Sequence, residues 1–306
     1  MTPPAPLRLA LLQYPVERPR DVAAFAAKLD TWLARIAGQA DLAVLPEYAA
    51  VELGAALSGN AWAGSTGDGL AVDEAGELRA MTDAAPAILA AMQEAARRAG
   101  LWLLPGTLPM RGPDGLVRNR APLIDPEGRL AFQDKRFMTR FEAERWIVSP
   151  GAAPQVFDTP WGRIGISVCY DVEFPAHVRA QVEAGAWLIL APSCTDTMHG
   201  FNRVRFSAAA RALESQCYVA VTPTVGLAPW SAALDVNRGF AAVFGPVDRG
   251  FPEDGVLARG ALDEPGWVLA TLDPARIEAV RADGGVRNHR DWPAAPFPIP
   301  LPGRFA

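Results

Sequence analysis

The sequence contains little cysteine and little histidine. Three cysteines (Cys169, Cys194 and Cys217) and three histidines are present in 306 residues. An odd number of cysteines without a CxxC pair indicates neither a disulfide framework nor a structural zinc site. Three scattered histidines make a histidine-rich metal site unexpected. We therefore predict a protein that uses no metal and no cofactor.

Long runs of like charge and long apolar runs are also missing. The net charge is −5, from 29 Lys and Arg against 34 Asp and Glu, and no long basic run occurs. This argues against nucleic acid or an anionic membrane as the main partner. No stretch approaches the ~18 apolar residues of a membrane span, and residues 1–6 do not resemble a secretory signal. We expect a cytoplasmic protein whose thiols are reduced.

The length and composition are those of a globular enzyme with a sizeable core: 50% of the residues are hydrophobic and 21% are charged. We predict one domain over residues 1–282. Residues 283–306 contain five prolines and are predicted to be an extension without a helix or a central strand. Such an extension suits a segment that lies over the surface or forms a subunit contact.

The stretch Arg163–Pro175 contains the most informative cysteine. Arg163–Val168 is short, apolar and rich in β-branched residues, which predicts a buried strand, and Pro175 suits the first turn of a helix. Cys169 therefore lies where a strand ends and a helix begins. The N–H groups and the helix dipole at such a position favour a thiolate and a developing oxyanion. The alternative is a buried structural cysteine.

Two other predicted strands end near residues that suit catalysis. Leu42–Leu45 is followed by Glu47, and the strand-like Leu130–Phe132 is followed by Lys135. Ends of neighbouring strands in one sheet can converge on one pocket, however far apart they are in sequence. Taken singly, Glu47 is typical of a solvated strand end and Lys135 of the surface, because such residues are usually exposed.

Helical periodicity predicts helices over 22–36, 87–99, 176–184 and 201–214, with strands between them. Residues 48–80 are less regular and are predicted to be loops with short helical pieces. Helices that precede strands, with strand hairpins mixed in, suit an α/β fold of two sheets with helices on their outer faces.

Several short segments, in order, resemble the nitrilase superfamily, the carbon–nitrogen hydrolases, and the resemblance covers nearly the whole chain. They are Leu45-Pro46-Glu47, Asp134-Lys135-Arg136-Phe137, Ser149-Pro150-Gly151, Val168-Cys169-Tyr170-Asp171, Phe174-Pro175, Ala191-Pro192-Ser193, Arg211-Ala212-Leu213-Glu214 and Cys217-Tyr218-Val219-Ala220. The resemblance implies a four-layer α-β-β-α sandwich with an internal pseudo-twofold. It also implies a catalytic triad of Glu47, Lys135 and Cys169.

This triad suits amide hydrolysis. Cys169 is the expected nucleophile, Glu47 the general base, and Lys135, with the N–H of Tyr170, the stabiliser of the oxyanion. A carboxylate at an apolar strand end should have a raised pKa. The family often adds a second glutamate after the lysine. Its spacing from Pro150 favours Glu144 as this catalytic glutamate over Glu142, although both can also form surface ion pairs.

Other residues near the nucleophile are expected to contact the substrate. We predict that Tyr170, Glu173, Cys194 and Glu142 line the pocket, with Cys194 as wall and not as a second nucleophile. Asp171 is expected to cap the following helix. The chain departs from the family at Glu173, where many members have arginine, and at Ala176, where many have glutamate. Both departures concern substrate recognition.

The predicted function is hydrolysis of a small carboxamide to a carboxylic acid and ammonia. Tyr170-Asp171 resembles the amidase branches, whereas true nitrilases usually carry Trp-Glu there. Nitriles, and then N-carbamoyl amines or amino acids, are the alternative substrates, and a non-catalytic binding protein on the same fold is the alternative from another class. The expected partners are a small-molecule amide and other copies of this chain, as a dimer or a higher homo-oligomer.

Overall fold

The computed structural model of the protein describes residues 5–59, 74–146 and 148–292. Its strands are β1 (Leu7–Pro15), β2 (Leu42–Val44), β3 (Trp102–Leu104), β4 (Leu108–Arg111), β5 (Val117–Ile124), β6 (Leu130–Asp134), β7 (Val156–Thr159), β8 (Gly162–Ile166), β9 (Leu188–Ser193), β10 (Tyr218–Leu227), β11 (Val236–Asn237), β12 (Ala242–Phe244), β13 (Val256–Arg259) and β14 (Gly266–Leu272).

The helices are α1 (Val22–Ala34), α2 (Gly54–Leu57), α3 (Glu74–Ala99), α4 (Arg140–Glu144), α5 (Pro175–Glu183), α6 (Met198–Ser215), α7 (Pro274–Asp283) and α8 (Asn288–Asp291), with 3₁₀-helices over Ala49–Leu53 and Cys169–Glu173. The prediction of loops is wrong for residues 74–80, which belong to α3. Pro86 lies inside this helix and not at its start. The burial of Leu78, Met81 and Ala85 in the preceding turns outweighs the hydrogen bond that proline removes.

Two sheets meet along the middle of the molecule. The first has the order β14-β1-β2-β3-β5-β6, with β4 also paired to β5, and its strands β1, β2 and β3 are parallel. In the second, β8, β9 and β10 are parallel, and the order is β13-β12-β10-β9-β8-β7. The sheets join where the ends of β1 and β10 pair in parallel, with Tyr14 opposite Thr224.

Alternate residues of β1 belong to different cores. Leu9 and Leu11 lie in the same buried cluster as Leu190 and Val221 of the second sheet. Their neighbours on the opposite face of the strand lie in a separate cluster with α1 and α3; these are Ala10, Leu12 and Tyr14. Successive side chains of a strand point to opposite faces. One face of the first sheet therefore packs on the second sheet, and the other packs on helices.

The second sheet carries its own helices, because α5 packs on β8 and α6 packs on β10 and β12. The layers are thus helices, sheet, sheet and helices. This arrangement confirms the predicted α-β-β-α sandwich. Among the described helices, none has both the length and the apolar character that a membrane crossing requires.

The predicted proline-rich extension is described only as far as Trp292. Residues Asn288–Asp291 form α8, so the prediction of a tail without a helix is wrong for this part. The backbone N–H of His289 donates to the side chain of Gln216 at 3.1 Å and holds the short helix on the body of the protein. The five prolines lie outside the described residues.

Candidate active site

Cys169 occupies a sharp turn between a strand and a helix. β8 ends at Ile166, the N–H of Ser167 still donates to the Leu190 carbonyl oxygen at 2.9 Å, and the 3₁₀-helix then begins at Cys169. Cys169 has φ of +49°, a backbone conformation that few residues other than glycine adopt and that often marks functional sites. The turn sets the thiol at the carboxyl end of the sheet, where it is 5% exposed.

Glu47 follows β2 and is held by a tight backbone contact. The N–H of Leu45 donates to the Leu104 carbonyl oxygen at 2.8 Å, which extends the pairing with β3. Gly106 has φ of +89°, and a Cβ atom there would lie 2.0 Å from the Pro46 carbonyl oxygen. Only glycine fits so close an approach. Glu47 is 1% exposed, so the alternative of a solvated strand end does not hold.

Lys135 comes directly after β6, and its backbone is bonded on both sides. Its N–H donates to the Asn119 carbonyl oxygen at 2.8 Å, and its own carbonyl oxygen accepts from the N–H of Gly151 at 2.8 Å. A Cβ atom on Gly151 would lie 2.6 Å from Asp134 Cβ, which explains why glycine stands in the Ser-Pro-Gly segment. Lys135 is 1% exposed, and its Nζ lies 2.8 Å from Glu47 Oε1 and 2.7 Å from Glu142 Oε2.

The preference for Glu144 as the second glutamate of the site is wrong. Glu144 is exposed and pairs with Arg140 on the surface, 3.0 Å away. Glu142 is fully buried and accepts from Lys135 and, at 2.7 Å, from the Tyr48 hydroxyl. The N–H of Thr139 also donates to Glu142 at 2.9 Å. A threonine followed three residues later by glutamate is the pattern of a helix start in which the glutamate turns back, and this signal distinguishes Glu142 from Glu144.

Sequence reasoning missed two further residues of the site, Asn119 and Tyr48. Asn119 is fully buried on β5, and its Nδ2 lies 2.8 Å from Glu47 Oε1 and 3.3 Å from Glu142 Oε1. Tyr48 has φ of +59°, which turns its ring toward Glu142. Asparagine is disfavoured inside strands, so an asparagine within the strand Val117–Ile124 indicates a functional position that the sequence analysis could have identified.

The backbone of Cys194 contacts both Glu47 and Cys169. Its N–H donates to Glu47 Oε2 at 3.2 Å, and its carbonyl oxygen lies 3.7 Å from Cys169 Sγ. The Cys194 thiol has other partners: Thr224 Oγ1 is 3.4 Å away, and Asn237 Oδ1 is 3.7 Å away. Burial raises the pKa of this thiol to about 12. Such a thiol stays protonated at neutral pH, which suits a residue that lines the pocket and not a nucleophile.

The pKa values of the two buried carboxyl groups move in opposite directions. Burial raises the pKa of Glu47, and the charge of Glu142 adds to this effect, while Lys135 opposes it. Burial also acts to raise the pKa of Glu142, but the charge and hydrogen bond of Lys135 outweigh it and lower that pKa. Burial disfavours the Lys135 ammonium, but Glu142 and Glu47 hold its pKa well above the usual range. Glu142 is thus a fixed anion, and Glu47 is the better proton acceptor.

The Cys169 thiol is not ionised in advance, contrary to the expectation from the helix start. Burial and the charge of Glu47 raise its pKa well above the usual range, and Lys135 opposes them only in part. The site already holds two carboxylates against one ammonium, so a resting thiolate would be a further uncompensated buried charge. A nucleophilic role of this thiol therefore requires a nearby group that takes its proton.

Tyr170 and Glu173, which follow Cys169, have different surroundings. Tyr170 packs edge-on against Phe174, with ring centroids 4.9 Å apart. Glu173 lies 3.6 Å from Arg203 of α6. Burial raises the pKa of Glu173, while Arg203 and, more weakly, Lys135 lower it. Glu173 is therefore within electrostatic reach of Lys135, but its charge is partly neutralised by Arg203.

Asp171 does not cap the following helix. Its Oδ1 accepts from the backbone N–H groups of Arg136 at 3.1 Å and Phe137 at 2.7 Å. Burial raises the pKa of Asp171 to about 7. This carboxyl group ties the chain after Lys135 to the turn that carries Cys169, and so fixes the two segments relative to each other.

Most of the chain matches a known protein family. The sequence model of the carbon-nitrogen hydrolase family matches residues 8–282, and the chain therefore belongs to the carbon–nitrogen hydrolase family, the nitrilase superfamily.

Two curated relatives match part of the chain. A probable hydrolase of Bacillus subtilis, YhcX, is 34% identical over 178 residues, 58% of this chain and 35% of that protein. The deaminated glutathione amidase of Yersinia enterocolitica is 34% identical over 147 residues, 44% of this chain and 51% of that protein. The chain thus spans about a third to a half of the length of these relatives.

A solved structure resembles nearly the whole chain. It is a glutamate-to-glutamine mutant of the amidase from Nesterenkonia sp. AN1, with the acetamide moiety of fluoroacetamide covalently added at the active-site cysteine. The TM-score is 0.68 and the sequence identity is 25%, and the similarity covers 94% of each chain.

Proposed function

We propose that this protein is a cysteine-dependent amidohydrolase that converts a small carboxamide into a carboxylic acid and ammonia. One observation carries the proposal: the Glu47 carboxylate bonds Lys135 at 2.8 Å and the Cys194 N–H at 3.2 Å, while the Cys194 carbonyl oxygen lies 3.7 Å from the Cys169 thiol. A base, a fixed cation and a nucleophile thus share one buried site, which is what acyl transfer requires.

In the acylation step, Cys169 Sγ attacks the carbonyl carbon of the amide while Glu47 takes the thiol proton. The C=O oxygen gains negative charge and is stabilised by the Lys135 ammonium and the N–H of Tyr170. Collapse of this intermediate breaks the C–N bond, and Glu47 returns the proton to the leaving nitrogen. The products are ammonia and a thioester on Cys169.

In the deacylation step, a water molecule takes the place of ammonia. Glu47 accepts one proton from the water as its oxygen attacks the thioester carbon. The C–S bond then breaks, Glu47 returns this proton to the sulfur of Cys169, and the carboxylic acid leaves. Glu142 does not exchange protons in this scheme. Its charge keeps Lys135 protonated, which is its proposed contribution.

An amide substrate is favoured over a nitrile or an N-carbamoyl compound. The Yersinia relative is named an amidase, and so is the Nesterenkonia protein. Tyr170-Asp171 after the cysteine agrees with this reading.

We also propose a cytoplasmic homo-oligomer, a dimer or higher. The three cysteines are free thiols, which suits a reducing compartment, and Phe206 and Trp292 are 61% and 37% exposed, which suits subunit contacts. Sedimentation as a monomer at micromolar concentration would count against the assembly.

Ammonia release from a panel of carboxamides, nitriles and N-carbamoyl compounds tests the reaction, and mass spectrometry tests the thioester. The wild-type protein should release ammonia from amides and carry a transient acyl adduct on Cys169. Cys169→Ala should lose both. Cys217→Ala is the matched control, since Cys217 is a buried thiol whose hydrogen-bond partner is the Arg211 carbonyl oxygen. Activity of Cys169→Ala within tenfold of wild type would remove the covalent mechanism.

A further inference from the structure

Asn119 hydrogen-bonds three residues of the proposed site: Lys135 through the backbone, and Glu47 and Glu142 through its side chain. Its backbone oxygen accepts the N–H of Lys135 at 2.8 Å. Its side-chain Nδ2 lies 2.8 Å from Glu47 Oε1 and 3.3 Å from Glu142 Oε1. The residue is fully buried in the middle of β5. A single strand position therefore fixes the lysine through its main chain and the two carboxylates through its side chain.

The direction of the Asn119 amide follows from its surroundings. With Nδ2 toward Glu47 and Glu142, the NH₂ group donates to two carboxylate oxygens. The reverse orientation would set Oδ1, an acceptor, against both of them. Oδ1 has no hydrogen-bond partner among the described residues. The amide thus leaves one acceptor unsatisfied in order to donate to both carboxylates, a cost that a purely structural residue need not bear.

The Glu47 carboxylate is held from three directions. Oε1 accepts from Lys135 and Asn119, both at 2.8 Å, and Oε2 accepts from the Cys194 N–H at 3.2 Å. The Lys135 ammonium also bonds Glu142, so its hydrogen bond to Glu47 does not by itself fix the orientation of the Glu47 carboxylate. The Asn119 amide donates a second hydrogen bond to the same oxygen, Glu47 Oε1.

We infer that Asn119 is a positioning residue, whose side-chain amide holds the Glu47 carboxylate toward the Cys169 thiol. The inference rests on the proposed function in one respect, the role of Glu47 as the base. Because the amide donates to the ionised form of Glu47, its loss destabilises the carboxylate and leaves the acid form unaffected. Glu47 then becomes ionised only at a higher pH.

The rate of Cys169 alkylation by iodoacetamide, followed by peptide mass spectrometry between pH 4.5 and 9, reports this ionisation without any turnover. In the wild-type protein the rate should rise with pH as Glu47 becomes able to take the thiol proton, and Glu47→Gln should remove this rise. Asn119→Leu keeps the branched shape of the side chain, at a somewhat larger volume, and lacks the donor. Its acid limb should move up by about one pH unit, which slows alkylation about tenfold on the limb. Asn119→Ala should move the limb in the same direction.

Gln133→Ala is the matched control. Gln133 is a buried amide on the adjacent strand β6, and it bonds the backbone groups of Asp134 and Gln155 at 2.7 and 2.8 Å. This variant should lower the melting temperature without moving the acid limb. An unmoved limb in the folded Asn119 variants, or an equal movement in Gln133→Ala, overturns the inference. Misfolding of both Asn119 variants also overturns it, because the residue would then serve the core.

The result is separable from a failure of the proposed function. If the wild-type protein releases no ammonia from any amide, nitrile or carbamoyl compound, the reaction assignment fails. The alkylation profiles still decide whether Asn119 controls Glu47. If ammonia is released and the profiles do not differ, only the assignment of Asn119 fails.

Discussion

Replacement of Glu142 by glutamine separates the role of the buried carboxylate from that of its exposed neighbour. Glu142 Oε2 lies 2.7 Å from Lys135 Nζ, and both side chains are at most 1% exposed. Removal of one member of a buried ion pair costs about 3–5 kcal/mol. For a chain of 306 residues, this corresponds to a fall in melting temperature of roughly 5–8 °C. Glu144→Gln is the control and should change stability by no more than about 0.5 kcal/mol.

The same substitution has a predictable effect on the base. Glu47 and Glu142 both contact Lys135 Nζ, at 2.8 and 2.7 Å. Their nearest oxygens are therefore no more than about 5.5 Å apart, where two charges repel by about 3 kcal/mol at an effective dielectric constant of 20. Since the charge of Glu142 raises the pKa of Glu47, its removal should move the acid limb of kcat/KM down by about one to two pH units. Asn119→Leu should move the limb the opposite way.

The assay is kcat/KM for ammonia release from the best amide between pH 4.5 and 9, with melting curves at each pH. At neutral pH, Glu142→Gln should lower kcat/KM about 100-fold. Glu47 and Glu142 together hold the Lys135 ammonium, and without Glu142 this ammonium is less well placed to stabilise the oxyanion. Activity within threefold of wild type with an unchanged melting temperature would refute the reasoning. So would an equal loss in Glu144→Gln, or an acid limb that moves up.

Three further substitutions test other contacts. Gly151→Ala should destabilise the protein and slow turnover, measured by melting and ammonia release, because the new Cβ atom meets the backbone that positions Lys135. His177 is buried, and neither ring nitrogen has a hydrogen-bond partner within the described part of the chain, although Nδ1 lies 4.0 Å from Asp171 Oδ2. Burial lowers its pKa to about 4. Stability should therefore fall as the pH drops from 6.5 toward 4, since the unfolded chain binds the proton first; His177→Phe should flatten this fall in melting scans. Glu173→Gln should shift the kcat/KM ratio between an amide with a distal carboxylate and a neutral one by more than twofold toward the carboxylate; a smaller change would assign Glu173 to its pair with Arg203 alone.

The positions of the three residues of the proposed triad could be predicted from the sequence because each follows an apolar strand. Glu47, Lys135 and Cys169 lie at the ends of β2, β6 and β8 or just beyond them. The pattern of apolar runs and turns determines where such ends fall. It does not show that β2 and β6 belong to the first sheet and β8 to the second, so the three residues come together from two sheets and not from neighbouring strands of one. The same local pattern also predicted α1, α5 and α6 within a few residues.

The errors arose where tertiary contacts override local signals. Spacing favoured Glu144, but the turn at Thr139 directs Glu142 inward. The predicted helix begins only at residue 87, whereas the buried turns before Pro86 belong to the same helix. The ionisation of Cys169 was misjudged because a helix start is a local feature, whereas the pKa of the thiol depends on burial and on the charge of Glu47.

The central place of β1 constrains the order in which the chain can be completed during synthesis. This strand pairs with β14 along its length, from Leu7 opposite Leu272 to Gln13 opposite Gly266. β1 therefore leaves the ribosome long before its partner β14, while β2 and β3 can already form beside it. Pairings so distant in sequence are slow to close and leave an open strand edge meanwhile. A chain that stops before β14 should therefore aggregate even though it contains Glu47, Lys135 and Cys169, and an amide-hydrolysing fragment cannot be obtained by shortening this protein from its carboxyl end.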